Sequence, residues 1–308
     1  MLAGLFKDAS GGAKLLVIVF VVLIGILVFS VIGIILAIPL FGIDISHIEQ
    51  AMDAGNPTNI GFMKYFQTIT SIGIFVFPPF IIAWLLGKNA LNYLFLNGKS
   101  SLQTYVITAT TVIFALPLIN FLAQWNAQLS LPESLSWLEQ FMKESEANAQ
   151  KITELFLKAD SLSGLMLNIF IIALIPAIGE ELLFRGIFQK LFIDWTKNKH
   201  LGIWLAAILF SAIHIQFYGF IPRMFLGALF GYMLLFSKNM WLPIVAHFVN
   251  NTFGVIAYYM MNKSVITINP DNLGTGETAS YQAIMSMIFI TILMYMIYKA
   301  GQEEAREI

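Results

Sequence analysis

The chain of 308 residues contains no cysteine. Disulfides, thiolate zinc sites and cysteine nucleophiles are therefore excluded, and the redox compartment is left undetermined. Charge is almost as scarce. Asp, Glu, Lys and Arg make up 11% of the residues, against roughly 25% in soluble domains. With 58% hydrophobic residues and a mean hydropathy of +0.78, the chain does not have water as its main solvent. The composition predicts an integral membrane protein whose first partner is the lipid bilayer. A formal net charge of −1 offers no basic surface, so nucleic acid is not an expected partner.

No Asp, Glu, Lys or Arg occurs from Leu15 to Ile43. A signal-peptide core is about 7–15 residues long and ends at a small-residue cleavage site. This run is longer and lacks a convincing site, so it is expected to be an uncleaved first span. A spanning helix needs about 20 mostly apolar residues. Runs of that kind lie near 15–40, 66–87, 103–124, 161–194, 201–217, 220–236, 241–261 and 280–299. Backbone groups in lipid must be bonded internally, so each run is expected to be helical. The predicted fold is all-α, a polytopic membrane protein of about eight transmembrane helices around a buried polar site. The fifth and sixth runs are short and closely joined through "QFYGFIPR", as a tight hairpin or a partly re-entrant pair. The segment from Pro132 to Ser161 is not a span. Leu135, Leu138, Phe141 and Met142 recur there at helical spacing, which predicts an amphipathic covering helix on the outer surface. Three regions follow: 1–160 with the first three spans and this outer helix, 161–261 with the polar residues, and 262–308 with a polar loop and the last span. No internal repeat is visible.

Loop charges predict the orientation. Lys7 and Lys14 precede the first span, Lys88 and Lys99 follow the second, and Lys190, Lys197 and Lys199 end the fourth. Lys238 follows the sixth, and Lys299 and Arg306 follow the eighth. The alternate loops are acidic, with Asp44, Glu49 and Asp53, then Glu133 to Asp160, then Asp271 and Glu277. Both termini are therefore expected in the cytoplasm, with the cell membrane as the location. Arg223 alone disagrees, as a snorkelling interfacial arginine would.

Few ionisable residues fall inside the spans, where each is costly. The fourth span has Glu180, Glu181 and Arg185 in "GEELLFRG", the fifth has His214, and the seventh has His247, Asn250 and Asn251 in "AHFVNNTF". Glu181 and Arg185 are four residues apart, share a helix face and can pair. Glu180 is turned by about 100° and has no partner in its own helix. His247 and Asn251 also share a face. Taken singly, a Glu–Arg pair can be purely structural and a membrane histidine can simply bridge helices. "GALFG" at Gly227 to Gly231 reads as a small-residue packing face. Together, however, a carboxylate, two imidazoles and an amide from three helices can activate water and hold an oxyanion.

With "EELLFR", "FSAIH" and "HFVNN" in this order, and with the glycine-spaced "FLGALFGYMLLF" between the last two, the chain resembles the CAAX prenyl protease type 2 and bacteriocin-processing (abortive-infection) membrane proteases. The resemblance covers about residues 160–260. It implies an intramembrane endopeptidase whose partner is a peptide or membrane-protein substrate. Glu180 would be the general base, and His214 would position or activate the water. His247 and Asn251 would stabilise the oxyanion, and Arg185 would hold Glu181. Glu180, His214 and His247 are the ligand candidates if a metal such as zinc is bound, but there is no HExxH pair on one helix, and the reading leans to water activation without a tightly bound metal. A proton-coupled carrier and a non-catalytic immunity or scaffold protein are the rivals. Neither the substrate, nor whether it is prenylated, nor the oligomeric state follows from the sequence.

The orientation gives a direct test. Topology reporters fused at Lys197 and at Ser145 are expected to report opposite sides of the membrane, and a signal from the same side would break the eight-span arrangement.

Overall fold

The computed structural model describes residues 2–266 and 272–304. All regular structure among these residues is helical. Asp271 and Arg306, two of the charges used for the orientation, lie outside the described residues.

The principal helices are α1 (Gly11–Phe41), α2 (Pro57–Leu86), α3 (Leu102–Ala127), α4 (Ser136–Leu157), α5 (Leu162–Thr196), α6 (Lys199–Ala212), α7 (Phe220–Ser237), α8 (Trp241–Asn262) and α9 (Ala279–Glu304). Six of them, α1, α2, α3, α5, α7 and α9, are long and apolar enough to cross a membrane, which makes this an integral multi-pass membrane protein. The sequence-based count of about eight also includes α6 and α8. Helix α6 has 14 residues, about 21 Å at 1.5 Å per residue, and is short for a hydrocarbon core of about 30 Å. Helix α8 is long enough at 22 residues, but His247, Asn250, Asn251 and Asn262 dilute its hydropathy. The two helices that fall short are thus those that carry or abut the site's histidines.

Local sequence explains where the helices start and bend. Ser10, Ser101, Ser161 and Asn198 cap α1, α3, α5 and α6 by accepting backbone N–H groups with their side chains. Proline within a helix removes one N–H and clashes with the carbonyl four residues back. Pro78 and Pro79 follow a π-helical turn at Ile72–Val76 in α2. Pro176 follows another at Ile169–Leu174 in α5. A third π turn, Phe184–Phe188, has no proline after it. Helix α5 is therefore one long span with two backbone irregularities, and "IPAIGEELL" lies between them.

Two apolar clusters hold the bundle. The first joins Ile18 of α1, Ile82 and Leu86 of α2, and Leu182, Phe184 and Ile187 of α5 with Phe210 of α6 and Ile244 of α8. The second joins Val112 and Leu118 of α3 with Phe230 and Met233 of α7, Leu242 and Ala246 of α8, and Ile290 and Ile297 of α9. Helix α8 contributes to both, so its polar residues lie where the two clusters meet. Helix α1 is mostly bare: Leu16, Phe20, Leu27 and Ile35 are exposed, as residues facing lipid would be. The expected amphipathic helix is present as α4. It buries Phe156 while Trp137 and Phe141 stay exposed.

The contact between α1 and α2 is made at the backbone. A β-carbon on Gly25 would fall 2.2 Å from the carbonyl oxygen of Gly73, and a carbonyl cannot swing aside as a flexible side chain can. Gly25→Ala is expected to lower stability by about 1–3 kcal/mol, the usual cost of overpacking, read as a lower melting temperature in detergent. Gly12→Ala, which meets nothing within 4 Å, is the neutral control. Equal melting of both variants would show that α1 and α2 do not meet at Gly25.

Candidate active site

Glu181 is fully buried and its carboxylate has two partners. Arg185 Nε lies 2.9 Å from Oε2, one helical turn away on the same face of α5. His247 Nδ1 of α8 lies 2.8 Å from Oε1. The Arg185 contact is an ion pair without hydrogen-bond alignment, because Oε2 accepts no well-directed hydrogen bond. A carboxylate paired with a guanidinium is ionised and can only accept, so Nδ1 of His247 carries the proton and donates it to Glu181. That leaves Nε2 of His247 as the nitrogen free for other work. It lies 3.9 Å from Oε2 of Glu180. The rotation between adjacent helical residues thus sends Glu181 into the packed interior and Glu180 to the other side of the His247 ring.

Arg185 is 1% exposed, and its surroundings explain how a guanidinium is tolerated there. Nη2 donates to the Gly227 carbonyl at 3.2 Å. The guanidinium carbon lies 4.5 Å from the centre of the Phe210 ring and 5.6 Å from that of Phe230, close enough for cation–π attraction. One turn on, Gln189 Nε2 donates to the Gly231 carbonyl at 3.2 Å. A β-carbon on Gly231 would lie 2.6 Å from Gln189 Oε1. The "GALFG" stripe is therefore a packing face with an added duty: Gly231 makes room for Gln189 of α5, while a β-carbon on Gly227 would meet Ala207 and Phe210 of α6.

His214 lies just beyond the end of α6. Its Nδ1 donates to the Phe210 carbonyl at 2.7 Å, which leaves its Nε2 uncommitted. Phe210 is the common neighbour of both histidines, edge-on to His214 at 5.1 Å and to His247 at 6.2 Å between ring centres. Phe230 stacks on His247 at 5.5 Å. Asn251 Nδ2 donates to the Ile172 carbonyl at 3.3 Å. The asparagine thus ties α8 to the π-helical turn of α5. Asn251 Oδ1 accepts from Asn250 at 3.1 Å, and one N–H of the Asn251 amide remains available.

The structure thus brings Glu180, Glu181, Arg185, His247 and the Phe210–His214 turn together, with Asn251 one helical turn from His247. The link between Glu181 and His247 was missed by the sequence reading, which gave Glu181 only Arg185 as a partner. Phe230, Gln189 and the Ile172 carbonyl were also missed. The donors do not fit a zinc site made of Glu180, His214 and His247. Among the described residues no three His, Asp or Glu side chains are grouped to hold a metal ion.

Residues 162–253 match the family described as type II CAAX prenyl endopeptidase Rce1-like. The matched segment contains every candidate site residue, and over it the resemblance read from the three motifs holds. Two Bacillus subtilis (strain 168) proteins are similar to the chain. "Uncharacterized protein YpbD" is 31% identical over 86 residues, covering 27% of this chain and 41% of that protein. "Putative membrane peptidase YdiL" is 27% identical over 97 residues, covering 32% of this chain and 39% of that protein. The chain thus spans about two fifths of the length of these relatives. No solved structure matches it.

The buried clamp predicts a stability effect. Arg185→Ala leaves Glu181 buried with one partner removed, and breaking a buried pair costs about 3–5 kcal/mol. The variant is expected to accumulate poorly and to melt well below wild type in detergent. Wild-type melting would show that Arg185 does not neutralise Glu181.

Proposed function

We propose that the chain is a membrane-embedded endopeptidase of the CAAX-protease type, with residues 162–253 as its catalytic segment and Glu180 as its general base. The observation that carries this reading is the geometry at His247. One ring nitrogen is held by a buried carboxylate that is itself neutralised by Arg185, and the other faces a second carboxylate, Glu180, 3.9 Å away. A purely structural Glu–Arg pair requires neither the histidine nor the second glutamate.

In the proposed reaction Glu180 takes a proton from a water molecule, and the hydroxide adds to the carbonyl carbon of the scissile peptide bond. His214 Nε2 orients that water. Glu180 lends that proton to His247 Nε2, 3.9 Å away, and takes it back before the leaving step; the oxyanion that forms meanwhile is stabilised by this Nε2–H and by the available N–H of Asn251. Glu181 then balances the imidazolium through Nδ1, as a carboxylate does for histidine in hydrolases generally. Glu180 returns the proton to the leaving nitrogen, the C–N bond breaks, and the products are one carboxylate and one amine. No step is routed through a metal. The substrate class is a peptide or membrane protein that reaches the α5–α6–α8 junction. The same reading puts both termini on the cytoplasmic side of the cell membrane.

Glu180→Gln keeps the shape of the side chain and removes the base. Positioned bases contribute about 10²–10⁴ in rate, so cleavage in substrate profiling of membranes should nearly vanish while expression and melting persist. Cleavage by purified Glu180→Gln at the wild-type rate would overturn the assignment. Asn251→Ala is expected to lower kcat more than it raises KM. Activity should survive exhaustive chelation, and loss on chelation with recovery on added zinc would make Glu180, His214 and His247 ligands instead.

A further inference from the structure

Arg223, the one charge that breaks the orientation pattern, does not reach out to an interface. Its side chain is mostly buried on α7 and lines a cavity of about 730 Å³. The walls of this cavity come from α3, α4, α8 and the turn between α6 and α7, with Glu146, Gln216, Arg223 and Asn250 among its polar groups. One arm of the guanidinium, Nη2, donates to Gln216 Oε1 at 2.7 Å. The other, Nη1, is buried and has no hydrogen-bond partner. Among the described residues, no carboxylate lies within ion-pair distance of Arg223. The nearby Glu146 carboxylate accepts instead from the Tyr218 backbone N–H at 3.2 Å.

A buried guanidinium N–H left without an acceptor is costly, more so than a neutral donor. Snorkelling would have exposed it to water at no such cost. The arrangement makes sense if an acceptor arrives with a ligand. The cavity adjoins the candidate active site, because Asn250, in its wall, donates to Asn251. A guanidinium whose fork is half occupied offers its remaining donors to a planar oxyanion.

We propose that Arg223 is a specificity-determining residue that binds a carboxylate of the peptide substrate, presented in the cavity beside Asn250. This rests on the peptidase reading for the identity of the ligand, but binding at the cavity can be measured without turnover. The carboxylate is either the chain terminus or an acidic side chain, and the two are separable with peptides. A peptide carboxylate is favoured over a lipid phosphate because the cavity adjoins the candidate active site through Asn250 and Asn251, where a peptide substrate must lie.

The test uses fluorescently labelled alanine–leucine peptides bound to the full-length Glu180→Gln protein in detergent, followed by anisotropy. Three peptides are compared: one with a free terminal carboxylate, its terminal amide, and the amide carrying one internal glutamate. One of the two acidic peptides should bind about tenfold to a hundredfold tighter than the neutral amide, as expected for a charged hydrogen bond, and which one does identifies the source. Adding Arg223→Gln should abolish that preference while leaving the neutral peptide unchanged, and Arg223→Lys should restore part of it. In the Glu180-competent enzyme the same substitution should raise KM for acidic substrates and leave kcat nearly unaltered. The proposal is overturned by a protein that shows no carboxylate preference, by the same preference in Arg223→Gln, or by displacement with phosphatidylglycerol micelles and not with acidic peptide. If carboxylate-dependent binding is found while membranes show no Glu180-dependent cleavage, the subsite stands and the peptidase reading falls.

Discussion

The fold of the polar region depends on neutralising one carboxylate. Glu181 has no exposed surface, and a lone ionised group there would cost many kcal/mol. Its two oxygens are met by Arg185 on the same helix and His247 on another. Once that clamp is set, the orientation of the His247 ring, the approach of α8 to α5 and the direction of Glu180 all follow. Arg185 passes the requirement on, because its own burial is relieved only by the Gly227 carbonyl and the faces of Phe210 and Phe230. Glycine at 231 is what lets Gln189 of α5 reach the backbone of α7, and glycine at 227 keeps α7 close to Ala207 and Phe210 of α6. A buried ion pair of this kind is weak evidence for added stability; it defines one arrangement of four helices over alternatives.

Backbone irregularity is the second ingredient. Helices α2 and α5 each carry a π-helical turn immediately before proline, and α5 carries another at Phe184–Phe188. Such turns occur often at functional sites. Here the first π turn of α5 has a definite consequence. Asn251 of α8 donates to the Ile172 carbonyl within that turn. An asparagine that the motif suggests for oxyanion binding therefore also ties two helices together through one of its N–H groups. Under the proposed mechanism its removal would be felt in both stability and rate, and kinetic parameters of the folded fraction separate the two.

Arg223 shows how a departure from a simple rule can be informative. Positive charge on the outer side of a membrane protein is explained cheaply by snorkelling along a hydrocarbon stem. The observed side chain is instead held by Gln216 inside a polar cavity next to Asn250. Helix α4, which looked like a covering helix without chemistry, forms part of that cavity through Glu146, Gln150 and Glu154.

The sequence by itself determined the solvent, the secondary structure and the membership of the polar set. Scarcity of charge required lipid, lipid required internally bonded helices, and spacing within a helix put Glu181 beside Arg185 and turned Glu180 away. These are local consequences of a 3.6-residue period and of transfer free energies, so they are legible one helix at a time. The count of spans was less legible, since α6 and α8 give up length and hydropathy to the groups they carry. What only the tertiary structure decided is which groups meet across helices. Nothing in the spacing of "EELLFR" tells that the second oxygen of Glu181 is taken by His247, that Asn251 reaches the Ile172 carbonyl, or that Arg223 turns inward. Those contacts depend on the relative rotation and depth of separate helices, which are set by the packing of glycines, prolines and aromatic rings at their crossings and leave no periodic trace in the chain.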